Sequence, residues 1–287
     1  MADALRGGRM SDLTPGRLQG ALATLRGAGK ANQATNHHRA AIRAFARWAV
    51  ATGRHRDDPT SGLAALNVAA DRRHRRRAMT PEECARLIAA AESGPPVRGL
   101  AGSDRAMLYR LALGTGLRAA ELGSLTPASF DLAGDPPTVA CGAGATKNGR
   151  DDSQSIAAAP AARLAPWLAT RAPDRPVFGP MPQHTAAMIR RDLAAVGVPY
   201  QTPEGITDFH SLRGTYITRL VATGASVKTC QILARYSTPS LTIGVYAKAS
   251  PPHSRRPGRA DPSEKSLPTI CPPEGADRGG TGRNLAI

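Results

Sequence analysis

One basic run constrains how this chain can fold. Residues Asp71 to Arg77 read D-R-R-H-R-R-R. Because so much like charge cannot enter an apolar core, the run is typical of a linker. Helical patterns precede the run and a new helix start follows it. We therefore predict a domain of residues 1–70, a linker of residues 71–79 and a second domain of residues 80–250. A Pro/Gly-rich tail at residues 251–287 lacks periodicity and should be disordered.

The first predicted domain is small and helical. Thr14 and Pro15 form a helix start, with an N-cap followed by proline at the first helical position. Apolar residues then recur at helical spacing as far as Leu25. A second helix begins between residues 32 and 36 and carries Ile42 on its apolar face. We expect one further short helix at residues 63–66.

The second predicted domain is longer and mixed. It opens with capping-box residues at Thr80 and Glu83. Helices are predicted at residues 103–113, 160–171 and 185–196. Short strands are predicted at residues 130–132, 138–141 and 153–157, with hairpin-turn chemistry at Asn148-Gly149. The predicted fold is therefore mainly α with a small antiparallel β-sheet, built as a small helical domain followed by an α+β domain.

The charge of the chain favours a polyanionic partner. Lys and Arg number 38 against 22 Asp and Glu, a formal net charge of +16. Aromatic residues make up 4% of the chain, which argues against a base-stacking single-strand binder and leaves duplex DNA. A GC-rich genome would also enrich arginine, and solvated helix faces carry charge. The candidate DNA contacts are a helical row and the linker: Arg39, Arg43, Arg47, Arg72, Arg73, Arg75, Arg76 and Arg77.

Cysteine spacing and hydropathy narrow the class of protein further. The four cysteines lie far apart and form no C-x-x-C pair, so they indicate neither a zinc site nor a disulfide framework. We expect no metal. The first residues contain no apolar signal segment, and no run of 18 apolar residues occurs. These features predict a soluble cytoplasmic protein.

The stretch from Phe209 to Lys248 carries the most specific motif. It contains His210 and Arg213, three apart in a helical pattern, so that both side chains leave one face. Tyr246 follows at the end of an apolar run. Arg118 lies upstream in T-G-L-R-A-A-E-L. In order, spacing and local context, these residues resemble those of the tyrosine recombinase (phage integrase) family.

The resemblance implies a fold, a reaction and a set of residue roles. Residues 1–70 would be the core-binding (SAM-like) domain, which is usually a four-helix unit, so the short region here is compatible with a truncated form. Residues 80–250 would be the catalytic domain, and two domains would close around duplex DNA. The implied reaction is site-specific cleavage and rejoining of DNA, for integration or excision of a mobile element. It needs no ATP, and a homotetramer with one dimer per site would perform it.

The implied roles match what phosphodiester chemistry requires. Arginine is always charged and binds oxyanions with a planar fork, so Arg118 and Arg213 would clamp the phosphate. Tyr246 would be the nucleophile that forms a 3′-phosphotyrosyl ester, and His210 would handle a proton beside the phosphate. Lys147 would protonate the departing 5′ oxygen. Glu121, one turn after Arg118, would orient that arginine.

One position departs from the family pattern and keeps other functions open. Tyr236 stands where the family usually has His or Trp. A phenol can donate a hydrogen bond to a phosphate oxygen but carries no positive charge. A relative that only binds DNA is therefore the main alternative. A type IB topoisomerase shares the phosphotyrosine chemistry, but the small first domain argues against it.

Overall fold

The computed structural model describes residues 9–146, 149–179, 181 and 185–236. The chain divides into two compact units, with the division after Arg75. This point lies within the predicted linker. The predicted tail at residues 251–287 lies outside the described residues.

The first unit is built on two helices, α1 (Pro15–Gly27) and α2 (Asn32–Ala51). The Thr14 hydroxyl accepts from the Arg17 N–H and caps α1, and Pro15 occupies its first position. Leu18 of α1 and Ile42 of α2 form a small buried core with Leu63. The periodicity of the sequence therefore identified both helices and the buried position of Ile42. Phe45, which the same periodicity places on the apolar face of α2, is instead exposed.

The expected helix at residues 63–66 is not present. These residues are non-helical, and a short 3₁₀ turn follows at Ala69–Asp71. Side chains of α2 satisfy the segment's backbone groups instead. The Asn36 side chain both donates to the Leu66 carbonyl and accepts from the Leu66 N–H, each at 2.9 Å. The Arg39 Nε donates to the Leu63 carbonyl at 2.6 Å. Because these partners are about thirty residues away, local sequence did not reveal them.

The second unit contains seven helices among its described residues and two small antiparallel sheets. The helices are α3 (Pro81–Ser93), α4 (Gly102–Thr115), α5 (Ala119–Ser124), α6 (Ala158–Leu168), α7 (Thr185–Ala195), α8 (Phe209–Ala222) and α9 (Val227–Leu233). One sheet has the order β1 (Phe130–Asp131), β2 (Thr138–Cys141), β3 (Asp152–Ser155), and the other pairs β4 (Gln201–Thr202) with β5 (Gly205–Ile206). The predicted fold class, mainly α with a small antiparallel sheet, is confirmed.

Helix α4 lies at the centre of this unit, against α3 and α8. Its buried positions run around most of its circumference, from Ala106 to Leu113, as expected of a helix enclosed by others. Leu87 of α3 and Leu212 of α8 are also fully buried in the same core. The core packed around α4 thus supports the segments that follow α4 and α8.

A buried ion pair ties α4 to α7. Arg105 has no solvent exposure, and its guanidinium binds both carboxylate oxygens of Asp192 at 3.0 and 3.1 Å. The Tyr109 hydroxyl donates to the same carboxylate at 2.7 Å. The remaining Arg105 donors reach backbone carbonyls, including that of Pro95 at 2.8 Å. A buried charge is tolerated only when it is paired and hydrogen-bonded in this way.

Helix caps set the positions at which several elements begin. Thr80 and Glu83 cap α3 reciprocally, as their spacing predicts. Asp208 caps α8 by accepting from the Ser211 N–H at 3.0 Å. Cys84, Cys141 and Cys230 are buried, and Cys271 lies outside the described residues. None of the helices in the described ranges is long and apolar enough to cross a membrane.

Candidate active site

Arg213 is almost completely buried in the second unit. It lies on the second turn of α8 with 3% of its surface exposed. Its Nη1 donates to the Gly116 carbonyl at 2.5 Å, and its Nη2 donates to the Ala234 carbonyl. The guanidinium also lies over the Tyr236 ring, 5.5 Å from the centroid. Arg213 therefore holds together the end of α4, helix α8 and the segment after α9.

The turn after α4 delivers Arg118 to the same place. Gly116 ends α4 in the left-handed conformation, with φ of 66°. A Cβ atom there would lie 2.4 Å from the Tyr216 ring. Both the backbone conformation and the lack of space therefore favour glycine at this turn. Arg118 follows as the N-cap residue of α5, and 30% of its side chain is exposed. The T-G-L-R segment thus places the Gly116 carbonyl where it accepts a hydrogen bond from Arg213, and it leaves the Arg118 side chain partly exposed.

Glu121 organises the arginines around it. Its side chain is 1% exposed; Oε1 accepts from Arg118 Nη1 at 2.7 Å, and Oε2 accepts from the Arg118 N–H at 2.7 Å. Arg235 Nη2 donates to Oε2 at 2.6 Å. Burial alone would raise the pKa of Glu121, but these hydrogen bonds outweigh it, and the pKa is lowered. Glu121 therefore stays charged, and the contact expected between Glu121 and Arg118 is present.

Arg235 is a member of this cluster that the sequence did not reveal. Besides Glu121, it binds Asp152 Oδ2 at 3.2 Å through Nη1, and its side chain is 8% exposed. Its sequence separation from Glu121 is 114 residues and from Asp152 is 83. The only feature of the nearby sequence that pointed to Arg235 was its position next to Tyr236. The spacing of nearby residues could not show that Arg235 pairs with Glu121 and Asp152.

The cluster carries more positive than negative charge. Burial, and then repulsion from Arg118 and Arg235, lowers the pKa of Arg213 to about 10. Its direct hydrogen-bond partners are backbone carbonyls, which carry no full charge. An anion bound here would relieve the repulsion and give Arg213 a charged hydrogen-bond partner, which the described residues do not provide. The electrostatics are those of an oxyanion site.

His210 lies three residues before Arg213, at the start of α8, and is exposed. Desolvation by neighbouring atoms lowers its pKa, and the positive charges of Arg76, Arg213 and Arg118 add to this effect, while Asp208 opposes it. The lowered pKa favours the neutral imidazole at pH 7. A neutral imidazole beside a cationic cluster can accept a proton.

Tyr236 closes the described part of the site. Its N–H donates to the Gln231 carbonyl at 3.0 Å, and the Gln231 side chain donates back to the Tyr236 carbonyl at 3.2 Å. These bonds wrap the chain around the end of α9 and set the ring against Arg213. The structure therefore brings Arg118, Glu121, His210, Arg213 and Tyr236 together. Lys147 and Tyr246 lie outside the described residues.

The candidate DNA-contacting arginines differ in what they already bind. Arg77 makes a bidentate ion pair with Glu83 at 2.7 and 2.8 Å, and both side chains are mostly covered. Arg76 binds both oxygens of Asp208, and Arg73 binds Asp71. Arg39 reaches a backbone carbonyl, and Arg47 lies 3.9 Å from Asp58. Arg43 is half-buried. Arg72 and Arg75 are exposed and have no ion-pair partner within the described ranges.

Comparison with known proteins decides the family. The model of the phage integrase family matches residues 77–253. The chain belongs to this family. Its predicted resemblance to tyrosine recombinases is thereby confirmed, and the matched region contains every residue of the candidate active site. No curated protein matched the sequence.

Solved structures share the fold at low identity. The Tn1549 transposon integrase in complex with a circular intermediate DNA has a TM-score of 0.62 at 14% identity, over 83% of this chain and 82% of that one. A lambda integrase dimer bound to a COC′ core site has a TM-score of 0.63 at 17% identity, over 90% and 88%. At these identities the likeness shows the tyrosine recombinase fold.

Proposed function

We propose that this chain is an active site-specific DNA recombinase that cleaves and rejoins duplex DNA through a 3′-phosphotyrosyl intermediate on Tyr246. The observation that carries the proposal is the excess of positive charge around Glu121. Arg213 in particular is buried beside other arginines, and within the described residues its hydrogen bonds go to uncharged backbone carbonyls. A phosphodiester is an anion of the right geometry for arginine forks.

The arginines would act as the electrophilic clamp. A phosphodiester repels nucleophiles, and negative charge grows on its non-bridging oxygens as the nucleophile attacks. Arg118 has 30% of its side chain exposed and is held by Glu121, so it can bind one oxygen without losing its orientation. Arg213 would bind a second phosphate oxygen, and its hydrogen bonds to the phosphate would replace those to the backbone carbonyls. Tyr236 would donate a hydrogen bond to a phosphate oxygen.

Proton transfers would accompany the cleavage step. The Tyr246 oxygen bonds to phosphorus while the bond from phosphorus to the 5′ oxygen breaks. The phenol proton passes to the neutral imidazole of His210, and Lys147 gives a proton to the departing 5′ oxygen. The lowered pKa of His210 supports the acceptor role. Attack by a 5′ hydroxyl on the phosphotyrosine reverses these steps, so the number of phosphodiester bonds is conserved and ATP is not needed.

The proposed partner is duplex DNA, and the proposed setting is the integration or excision of a mobile element. The net charge of +16 favours a polyanion. Integrases of similar fold have been seen bound to DNA, one of them as a dimer on a core site. We propose that two dimers, one on each site, form the active homotetramer.

A nicked suicide substrate tests this function. Duplexes carrying the ends of the chain's own element are nicked near the scissile phosphate, so that the short 5′-hydroxyl fragment diffuses away after cleavage. A covalent adduct then appears as a shifted band on a denaturing gel. Y246F should bind DNA and form no adduct. Y236F should form it roughly 10²–10³-fold more slowly, because it loses one donor to the phosphate.

Tyr200 provides the matched control. Its ring packs under Arg190, 4.3 Å from the guanidinium carbon, away from the arginine cluster. Y200F should form the adduct at the wild-type rate. If Y246F forms the adduct and Y236F does not, the nucleophile is Tyr236. If wild-type protein binds the ends without forming an adduct, the chain is a DNA-binding relative without cleavage activity.

A further inference from the structure

Arg235 occupies a backbone position that side chains disfavour. It follows α9 with φ of 51°, in the left-handed region, where glycine or asparagine is usual after a helix. Its N–H donates to the Ile232 carbonyl at 2.8 Å, as a helix-ending residue should. Glycine would make the same turn with less strain. The presence of arginine in place of glycine indicates that contacts of its side chain offset the backbone strain.

The side chain links parts of the site that are far apart in sequence. One terminal nitrogen binds Glu121, which holds Arg118, and the other binds Asp152, the first residue of β3. In the chain, β3 comes shortly after Lys147. The residue before Arg235 offers its carbonyl to Arg213. Arg235 itself precedes Tyr246 on the same stretch of chain.

We propose that Arg235 is a positioning residue that fixes Arg118 and β3 relative to the segment that leads to the nucleophile. The proposal rests on the function proposed above. Both terminal nitrogens already bind carboxylates, and only 8% of the side chain is exposed. Arg235 therefore acts through Glu121 and Asp152 without touching the phosphate. A misplacement of about 1 Å in an active site slows reaction by roughly 100-fold, so such a link matters for rate.

Lysine at this position is the informative replacement. R235K keeps the positive charge, but a single ammonium group cannot span two carboxylates as the guanidinium does. In single-turnover assays with the nicked substrate, R235K should form the adduct roughly 10–100-fold more slowly. D152N should also slow the reaction, because it weakens the tie between Arg235 and β3. The Kd for DNA should stay within about twofold of wild type in both, since neither residue contacts DNA.

The double variant tests whether Arg235 and Asp152 act together. If the link is real, R235G/D152N should be no slower than R235G alone, because glycine has already removed the guanidinium that pairs with Asp152. Rate losses that multiply would overturn the proposal. So would a loss of DNA affinity equal to the loss of rate, because that result would mean direct contact with DNA.

Glycine variants separate the side chain from the backbone strain. R235G relieves the left-handed conformation and removes the guanidinium, and it should also be slow. Arg98 is the matched control, being exposed and in the left-handed region with φ of 50°. R98G should form the adduct at the wild-type rate. A wild-type rate in R235G would overturn the proposal, whatever its thermal stability.

A second measurement does not depend on activity. Hydrogen exchange of the amides in residues 149–155 should be faster in R235K than in wild type and unchanged in R98G, because only R235K frees β3. If wild-type protein forms no adduct, the proposed function fails while this measurement still tests the link. Unchanged exchange in R235K would overturn the link itself.

Discussion

Gly116 is the residue on which the geometry of the arginine cluster depends most. It ends α4, turns the chain toward Arg118 and offers its carbonyl to Arg213. Its left-handed φ disfavours a Cβ atom, and the closeness of the Tyr216 ring leaves no space for one. Two separate constraints thus act on one position, and each makes a distinct contribution to stability.

Gly116→Ala should therefore destabilise the second unit by roughly 2–4 kcal/mol, combining left-handed strain with overpacking against Tyr216. Gly224→Ala is the control. Gly224 has φ of 77° and no atom within 4 Å of an added Cβ, so strain alone should cost about 1 kcal/mol. Urea unfolding followed by circular dichroism measures both. Equal losses in the two variants would show that the Tyr216 ring yields without cost.

His210 links the site to pH. Its pKa in the folded protein lies below the ordinary 6.5, so the unfolded chain binds the proton more tightly. His210 therefore lowers stability below the folded pKa, and this penalty disappears as pH rises above 6.5. A bound phosphate would act in the opposite direction and raise the pKa of His210, because an anion favours the imidazolium.

We expect an NMR titration of labelled histidine, assigned with H210Q, to give a His210 midpoint below 6.5 in the free protein. DNA binding should move the midpoint upward. A midpoint at or above 6.5 without DNA would mean that neither burial nor the surrounding arginines lower the pKa of His210. A midpoint that DNA leaves unchanged would place the phosphate elsewhere.

At the scale of elements, the ion pair between α4 and α7 stabilises the base on which the site stands. Asp192→Asn leaves Arg105 fully buried without a counter-charge and should cost about 3–5 kcal/mol. The double variant R105M/D192L removes both charges and should lose less than the single variant. Urea unfolding tests this comparison. A double variant less stable than D192N would show that the pair contributes net stability beyond avoiding an unpaired charge.

Elements with local signals were predictable from the sequence. The caps at Thr14 and Thr80 act within one turn of their helices, so residue spacing alone located α1 and α3. The strands β1, β2 and β3 also lie close to their predicted positions. The pair β4 and β5 was not predicted, because strands of two residues carry no alternating pattern.

The other features that could not be predicted from the sequence depend on polar contacts between residues far apart in the chain. Segment 63–66 is non-helical because Asn36 and Arg39 of α2 bind its backbone. Arg105 finds Asp192 at a separation of 87 residues, and Arg235 finds Glu121 at 114. Motif order predicted Arg118, His210 and Arg213 as site residues, since chemistry restricts their residue types, and the structure places them near one another. The domain boundaries and the roles of all the candidate site residues, Lys147 and Tyr246 among them, remain predictions.

At the scale of the whole molecule, the basic residues should govern how the chain responds to salt. Arg72 and Arg75 are exposed without an ion-pair partner among the described residues, so they are available to phosphates. In R72A/R75A, the slope of log K against log salt should become shallower by about 0.9 for each phosphate that the protein no longer neutralises. Fluorescence anisotropy with duplex DNA measures the slope.

Arg77 is the control within the same run. Because Glu83 already holds its guanidinium, R77A should leave the salt slope unchanged and lower the stability of the second unit. A slope that changes in R77A but not in R72A/R75A would mean that Arg77 exchanges its partner for DNA. It would also mean that Arg72 and Arg75 do not touch the backbone.

The central claim is that Tyr246 attacks DNA within a site built on Arg118 and Arg213, and mass spectrometry of the trapped adduct tests it most directly. Trypsin cleaves after Arg235 and Lys248, so residues 236–248 form one peptide that contains both Tyr236 and Tyr246. After nuclease digestion of the DNA, fragment ions locate the nucleotide remnant on one of the two tyrosines. The account predicts the remnant on Tyr246. A remnant on Tyr236, or DNA binding that yields no linked peptide, would contradict it.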